Sequence, residues 1–208
     1  CLYLPCYQPN NALRPIADAP TKSALGIPEH AFVFCCFNQT FKITEPVFAV
    51  WLQLLKQVPN SVLWLLECNR WAKTNLLAYA QQAGIEPERL LFAPRVPIVA
   101  LLARHVHADL FLDTVPYNAH TTASDALWMG LPVLTCMGDT FPSRVAASLL
   151  TAINAESLIT TDLEAYAARA LLLAQNRNML NAIKSHIQSH KLPLFNPMLF
   201  VQDLESAY

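Results

Sequence analysis

From position 31 onward, short runs of apolar residues alternate with longer stretches in which apolar residues recur at a helical period. Residues 31–36 form an unbroken apolar run of strand length. Positions 47, 50, 51, 54, 55 and 58 then mark one face of a helix that Pro59-Asn60 ends. The pattern predicts a second buried strand over Ser61–Leu66, a helix over 74–83 stopped by Gly84, a short strand over 89–92 and a short helix over 97–104. A fourth strand over 109–112 leads through a loop into a helix that ends at Gly130. A fifth strand over 132–136 precedes a helix over 143–150 started by Ser143, and residues 157–159 are a brief sixth strand. Helical periodicity then takes over, with apolar faces at 163, 166, 167, 170, 171 and 174 and at 180, 183 and 187, and a last helix over 197–208. Alternating strand and helix is the signature of an α/β fold with a doubly wound, mainly parallel, Rossmann-like sheet, here with extra C-terminal helices. Ligands of such sheets sit outside the carboxyl ends of the strands.

Residues 1–30 lack this pattern. They read as a short apolar piece with Pro5 and Pro9 followed by a polar linker, the tail of an upstream lobe, so the domain proper is expected over 31–208. The 208 residues are 54% hydrophobic and 14% charged, with a mean hydropathy of +0.29, more apolar than an average soluble domain. Two explanations fit: a sheet covered on both faces, or an interface exposed by separation from a larger protein. No run approaches 18 apolar residues and the start lacks the pattern of a signal peptide, so neither a membrane span nor export is expected. A formal charge of −1 with scattered basic residues argues against nucleic acid as a partner. Of the six cysteines none forms a C-x-x-C pair, and Cys35, Cys36 and Cys136 fall in strand-like runs. Buried thiols in a reducing cytoplasm are therefore expected, with no metal site.

Chemistry concentrates in the loops after the strands. Asn118-Ala119-His120-Thr121-Thr122 precedes a helix whose first turn is polar, and a helix start offers unpaired N–H groups and partial positive charge to a phosphate. Asp125, four residues after Thr121, falls on the same helix face one turn further in, where it could hold a sugar hydroxyl. The plainer alternative is that both threonines cap the helix and Asp125 is a solvated acid. After the first strand, Gln39 and Lys42 offer an amide and a flexible cation within reach of a diphosphate; the alternative is a solvent-facing lysine. After the third, the backbone amides around Val96 suit a flat base edge, with Arg104 one short helix away or on that helix's surface. Gly138 is read as a tight turn. His105-Val106-His107 reads as an extended segment of surface histidines without a third ligand. The glycine-rich dinucleotide fingerprint, the Walker loop and the Gly-x-Ser-x-Gly elbow are absent.

Phe37-Asn38-Gln39 with Lys42, Pro59-Asn60-Ser61-Val62-Leu63-Trp64-Leu65-Leu66, Asn118-Ala119-His120-Thr121-Thr122 with Asp125, and Ser143-Arg144-Val145-Ala146-Ala147-Ser148 together resemble the O-linked N-acetylglucosamine transferase and SPINDLY family. Order and spacing agree over about residues 30–208. The resemblance implies the C-terminal lobe of a two-lobed GT-B glycosyltransferase, normally preceded by tetratricopeptide repeats. It implies a UDP-sugar donor, UDP-N-acetylglucosamine or a relative, a Ser/Thr hydroxyl of a protein as acceptor, and no cofactor. Lys42 would contact the diphosphate, and His120, Thr121 and Thr122 would hold the phosphates. Asp125 would bind ribose, Arg104 would lie against uracil, and Gln39 would line the pocket. Family members often carry a lysine and a histidine within 97–102, where this chain has neither. The catalytic group is expected in the upstream lobe, which implies that this chain alone is inactive. A non-catalytic nucleotide-binding module and a nucleotide-sugar epimerase of related architecture are the alternatives.

Overall fold

The computed structural model describes Leu4 and residues 10–208; Cys1, Cys6 and the other residues of 1–3 and 5–9 lie outside the described residues. Six strands, β1 (Phe32–Cys36), β2 (Ser61–Leu66), β3 (Leu90–Ala93), β4 (Leu110–Leu112), β5 (Val133–Cys136) and β6 (Ile159–Thr160), form one sheet in the order β3-β2-β1-β4-β5-β6. Every neighbouring pair is parallel, with Cys35 opposite Trp64 on one side and Phe111 on the other. Parallel strands need helical crossovers, which cover both faces. Accordingly β1, β4 and β5 are buried along their whole length, and the apolar surplus of the sequence goes largely into this two-sided core.

The helices are α1 (Glu45–Gln57), α2 (Arg70–Gln82), α3 (Ile98–Arg104), α4 (Thr121–Trp128), α5 (Val145–Thr151), α6 (Leu163–Gln175), α7 (Arg177–His190) and α8 (Pro197–Ser206). In α1 the apolar stripe buries Val47, Trp51, Leu54 and Leu55. Trp51 donates from its indole N–H to the Tyr166 hydroxyl of α6 (3.2 Å), which donates in turn to the Asp113 carbonyl (3.0 Å), so buried polar groups tie two helices to the end of β4.

Most expected elements appear within one or two residues of their predicted bounds, with two departures. Helix α2 begins a turn early because the Asn69 side chain caps it, accepting from Ala72 N–H at 2.9 Å. Ser143 does not start α5, which begins at Val145. Its hydroxyl donates to the Thr140 carbonyl (2.8 Å) and accepts from the Thr140 amide (3.0 Å), closing a separate 3-10 turn over Phe141–Ser143. Gly138 is required for closeness rather than for a left-handed turn, since a β-carbon there would lie 2.8 Å from Ser143 Oγ.

The chain leaves β1 toward β2 and β3 and returns to the other side of β1 as β4. The carboxyl ends of β1 and β4 are therefore the switch point of the sheet, where successive loops diverge and leave a crevice. Cys35, Cys36 and Cys136 are free and buried, and no helix among the described residues is long and apolar enough to cross a membrane.

Candidate functional site

Asp113, the first residue past β4, organises this crevice. It is fully buried, and its Oδ1 accepts from the amides of Thr114 (2.8 Å) and Ala119 (2.6 Å) and from the side-chain amide of Asn38 (3.3 Å). Its Oδ2 accepts from the Thr135 hydroxyl on β5 (2.7 Å). Burial pushes the carboxyl up to about 6 against the opposing pull of these four bonds. Asn38, at the end of β1, also donates to the Thr114 hydroxyl (2.7 Å) and accepts from the Thr122 hydroxyl. One buried carboxylate and one buried amide thus fix the loops after β1 and β4 against each other and set where α4 begins.

The start of α4 carries His120 at its N-cap without a side-chain capping bond; the Ala123 amide bonds back to the His120 carbonyl (3.1 Å), and the Thr121 and Thr122 amides are left to another acceptor. The His120 ring stacks on Tyr117 (5.2 Å between centroids), and burial followed by the nearby Lys42 charge lowers its pKa, favouring neutral imidazole. Lys42 reaches the same place from the loop after β1. Its ammonium donates to the Asn118 carbonyl (2.9 Å) and lies 3.9 Å from the Tyr117 ring centroid. Partial burial lowers its pKa, while the buried Asp113 charge holds it up. It is not a solvent-facing lysine.

Neither threonine caps α4: Thr122 bonds across to Asn38, and Thr121 is exposed. Nor is Asp125 a solvated acid. It is buried one turn into α4, pairs with Arg14 at 2.6 Å, and has its carboxyl raised by burial and restrained by that arginine.

Gln39, Lys42, Val96, His120, Thr121, Thr122 and Asp125 converge on one cleft of about 340 Å³ at the carboxyl ends of the strands. Phe37, Leu66 and Leu101 supply apolar wall, and Leu101 falls in the segment where the lysine and histidine of the resembled family are missing. Arg104 is the exception and does not line this cleft. It is buried behind the wall with its guanidinium donating to the Pro94 carbonyl (2.7 Å), so it braces the loop carrying Val96 rather than facing the cleft. Arg95 lines the cleft instead and donates to Gln39 Oε1 (2.8 Å).

Asn38, Arg95, Asp113 and Arg14 carry roles that the sequence reading did not assign. An acid closing an apolar strand was a usable signal for Asp113; Arg14 is 111 positions from its partner and had none. The histidine pair is also corrected. His105 is buried in a 3-10 turn with Nδ1 2.9 Å from the Leu101 carbonyl, and burial lowers its pKa to about 4. No cluster of His, Cys, Asp and Glu suited to a metal occurs among the described residues.

A second cleft, of about 480 Å³, opens beside residues 105–108 and 129–131, which precede β4 and β5. It therefore lies toward the amino ends of those strands, away from the diverging loops.

Residues 16–204 match the sequence model described as Glycosyl transferase family 41. The chain is 36% identical over 192 residues to the Arabidopsis thaliana protein named "Probable UDP-N-acetylglucosamine--peptide N-acetylglucosaminyltransferase SEC", covering 91% of this chain and 20% of that protein. It is 32% identical over 185 residues to the Caenorhabditis elegans UDP-N-acetylglucosamine–peptide N-acetylglucosaminyltransferase, covering 86% of this chain and 16% of that one. Among solved structures, a lysine-to-methionine mutant of Thermobaculum terrenum O-GlcNAc transferase superposes with a TM-score of 0.82 at 30% identity, over 99% of this chain and 39% of that chain. The chain thus spans about a fifth of the length of these curated relatives. By profile, identity and fold together, the chain belongs to glycosyltransferase family 41.

Proposed function

We propose that the cleft at the β1/β4 switch point binds the UDP of a nucleotide sugar, and that the chain is the donor-binding lobe of a protein O-glycosyltransferase. The observation that carries this reading is the meeting of an uncapped helix start, a half-buried ammonium and a buried carboxylate in one cleft. The amides of Thr121 and Thr122 with Lys42 form the diphosphate seat, His120 adds a neutral ring nitrogen, and Asp125 takes the ribose hydroxyls. The apolar wall and the amides around Val96 take the uracil, beside Gln39 and Arg95. The names of the relatives favour N-acetylglucosamine as the sugar and a peptide as acceptor.

In the complete reaction a Ser or Thr oxygen forms a bond to the anomeric carbon as that carbon's bond to the diphosphate breaks, and UDP leaves carrying the electron pair. Lys42 and the α4 amides neutralise the charge gathering on UDP, without a metal or cofactor. The base that accepts the hydroxyl proton and the acceptor contacts come from a segment outside these residues. Exposed Phe41, Ile98, Tyr117 and Phe141, all in segments that follow the strands at their carboxyl ends, suit contact with such a segment. Unable to supply the base, the chain alone binds donor without turnover. The cytoplasm is the proposed compartment.

Calorimetry tests the site. UDP should bind the wild-type chain at one site, and Lys42→Ala should weaken it by about 10- to 100-fold, the worth of a charge-assisted hydrogen bond. Unchanged affinity in the variant would remove Lys42 from the site.

A further inference from the structure

Residues 10–20 form a strap fastened at three points, one of them Asp125 of the cleft. The Ala17 amide donates to the Val99 carbonyl (3.1 Å), His107 Nε2 lies 2.5 Å from the Pro20 carbonyl, and Arg14 reaches Asp125. The Arg14 contact is the most constrained of the three. One terminal nitrogen donates to Asp125 Oδ1 (2.6 Å), Nε donates back to the Asn11 carbonyl (2.8 Å), and the guanidinium lies 5.2 Å from the ring centroid of buried Phe195. Both side chains are largely shielded, with relative exposures of 19% and 11%, unlike a surface ion pair. Only Oδ1 is engaged; among the described residues Oδ2 accepts no hydrogen bond.

We propose that Arg14 is a positioning residue of the nucleotide site. By holding Oδ1 it keeps a buried carboxylate ionised and in one orientation, leaving Oδ2 as the acceptor for the vicinal hydroxyls of a pentose. An unpaired carboxylate at this depth would be driven toward its protonated form and could turn between rotamers. Because the strap, the C-terminal turn at Phe195 and α4 all meet at this guanidinium, the sugar-binding carboxylate is set by residues far from it in sequence. This inference rests on the cleft being a nucleotide site.

The test compares UDP with 2′,3′-dideoxy-UDP by calorimetry on the full 208-residue chain. Arg14→Met should lose about tenfold in UDP affinity and little for the dideoxy ligand. Arg14→Lys, which restores a cation, should recover most of the loss. Asp125→Asn should show the same ligand-selective loss, and adding Arg14→Met to it should change nothing further. Equal losses for both ligands, or failure of lysine to rescue, would make Arg14 merely structural. Tighter UDP binding in Arg14→Met would make the strap a competing latch. Either result overturns the proposal. No UDP binding by the wild-type chain would instead overturn the nucleotide reading on which it stands. Should Arg14→Met fail to fold, the lysine variant and the Asp125→Asn comparison still decide.

Discussion

Replacing Asp113 separates its two effects, the cost of burying a charge and the value of the four donors it satisfies. Burial raises its carboxyl from an ordinary 3.8 to about 6, worth about 3 kcal/mol in all. The native state holds this proton more tightly than the unfolded chain. The stability it contributes is therefore fully present below about pH 4 and is lost as pH rises through about 6. Asp113→Asn carries no such proton, so the stability difference between wild type and this variant should change by about 2 kcal/mol between pH 4 and pH 7, most of that total. Asparagine can still accept from the Thr114 and Ala119 amides and can donate to the Thr135 hydroxyl, so the variant should fold. Asp113→Ala strands all these donors in the core and should cost about 3–5 kcal/mol at pH 7. Urea unfolding followed by circular dichroism, stepped from pH 4 to 7, measures both. A flat wild-type-minus-Asn difference across that range, or an alanine variant within 1 kcal/mol of wild type, would refute the assignment of Asp113 as the buried anchor of the loop.

Two further substitutions probe the loops that follow β3 and β5. Arg104→Met frees the Pro94 carbonyl and loosens the loop bearing Val96, so UDP affinity should fall while inorganic pyrophosphate, which has no base, binds as before; calorimetry with both ligands decides. Gly138→Ala forces a β-carbon to within 2.8 Å of Ser143 Oγ and should cost about 1–3 kcal/mol in urea unfolding, because the Thr140–Ser143 turn must shift.

Much of this was legible in the residues alone. Strand β2 could be read to the residue because an unbroken apolar run follows Pro59-Asn60, and the polar first turn of α4 stood out because it follows a buried strand. Residue types near strand ends were enough to bring seven side chains to one cleft, since a parallel sheet places all such loops on one edge. What stayed hidden depends on direction and distance. Arg104 ends a short helix in either reading, and only packing shows that its guanidinium turns back to Pro94. His105 read as a surface residue of an extended His-Val-His segment, yet the 3-10 turn rotates it inward against Phe37. The start of α2 was missed because its first turn, Arg70-Trp71-Ala72-Lys73, buries no residue and its signal is a single capping asparagine. The pairing of Arg14 with Asp125 has no local pattern at all.

The central claim is that a nucleoside diphosphate sits at the carboxyl ends of β1 and β4 with its phosphates on the start of α4. A crystal structure of the chain soaked with UDP tests this most directly. The account predicts phosphate oxygens within hydrogen-bonding distance of the Thr121 and Thr122 amides and of Lys42 Nζ, with ribose at Asp125 Oδ2 and the base beside Val96. UDP bound instead in the cleft beside Lys184 and Gln188, or absent from the α4 start at saturating concentration, would contradict it.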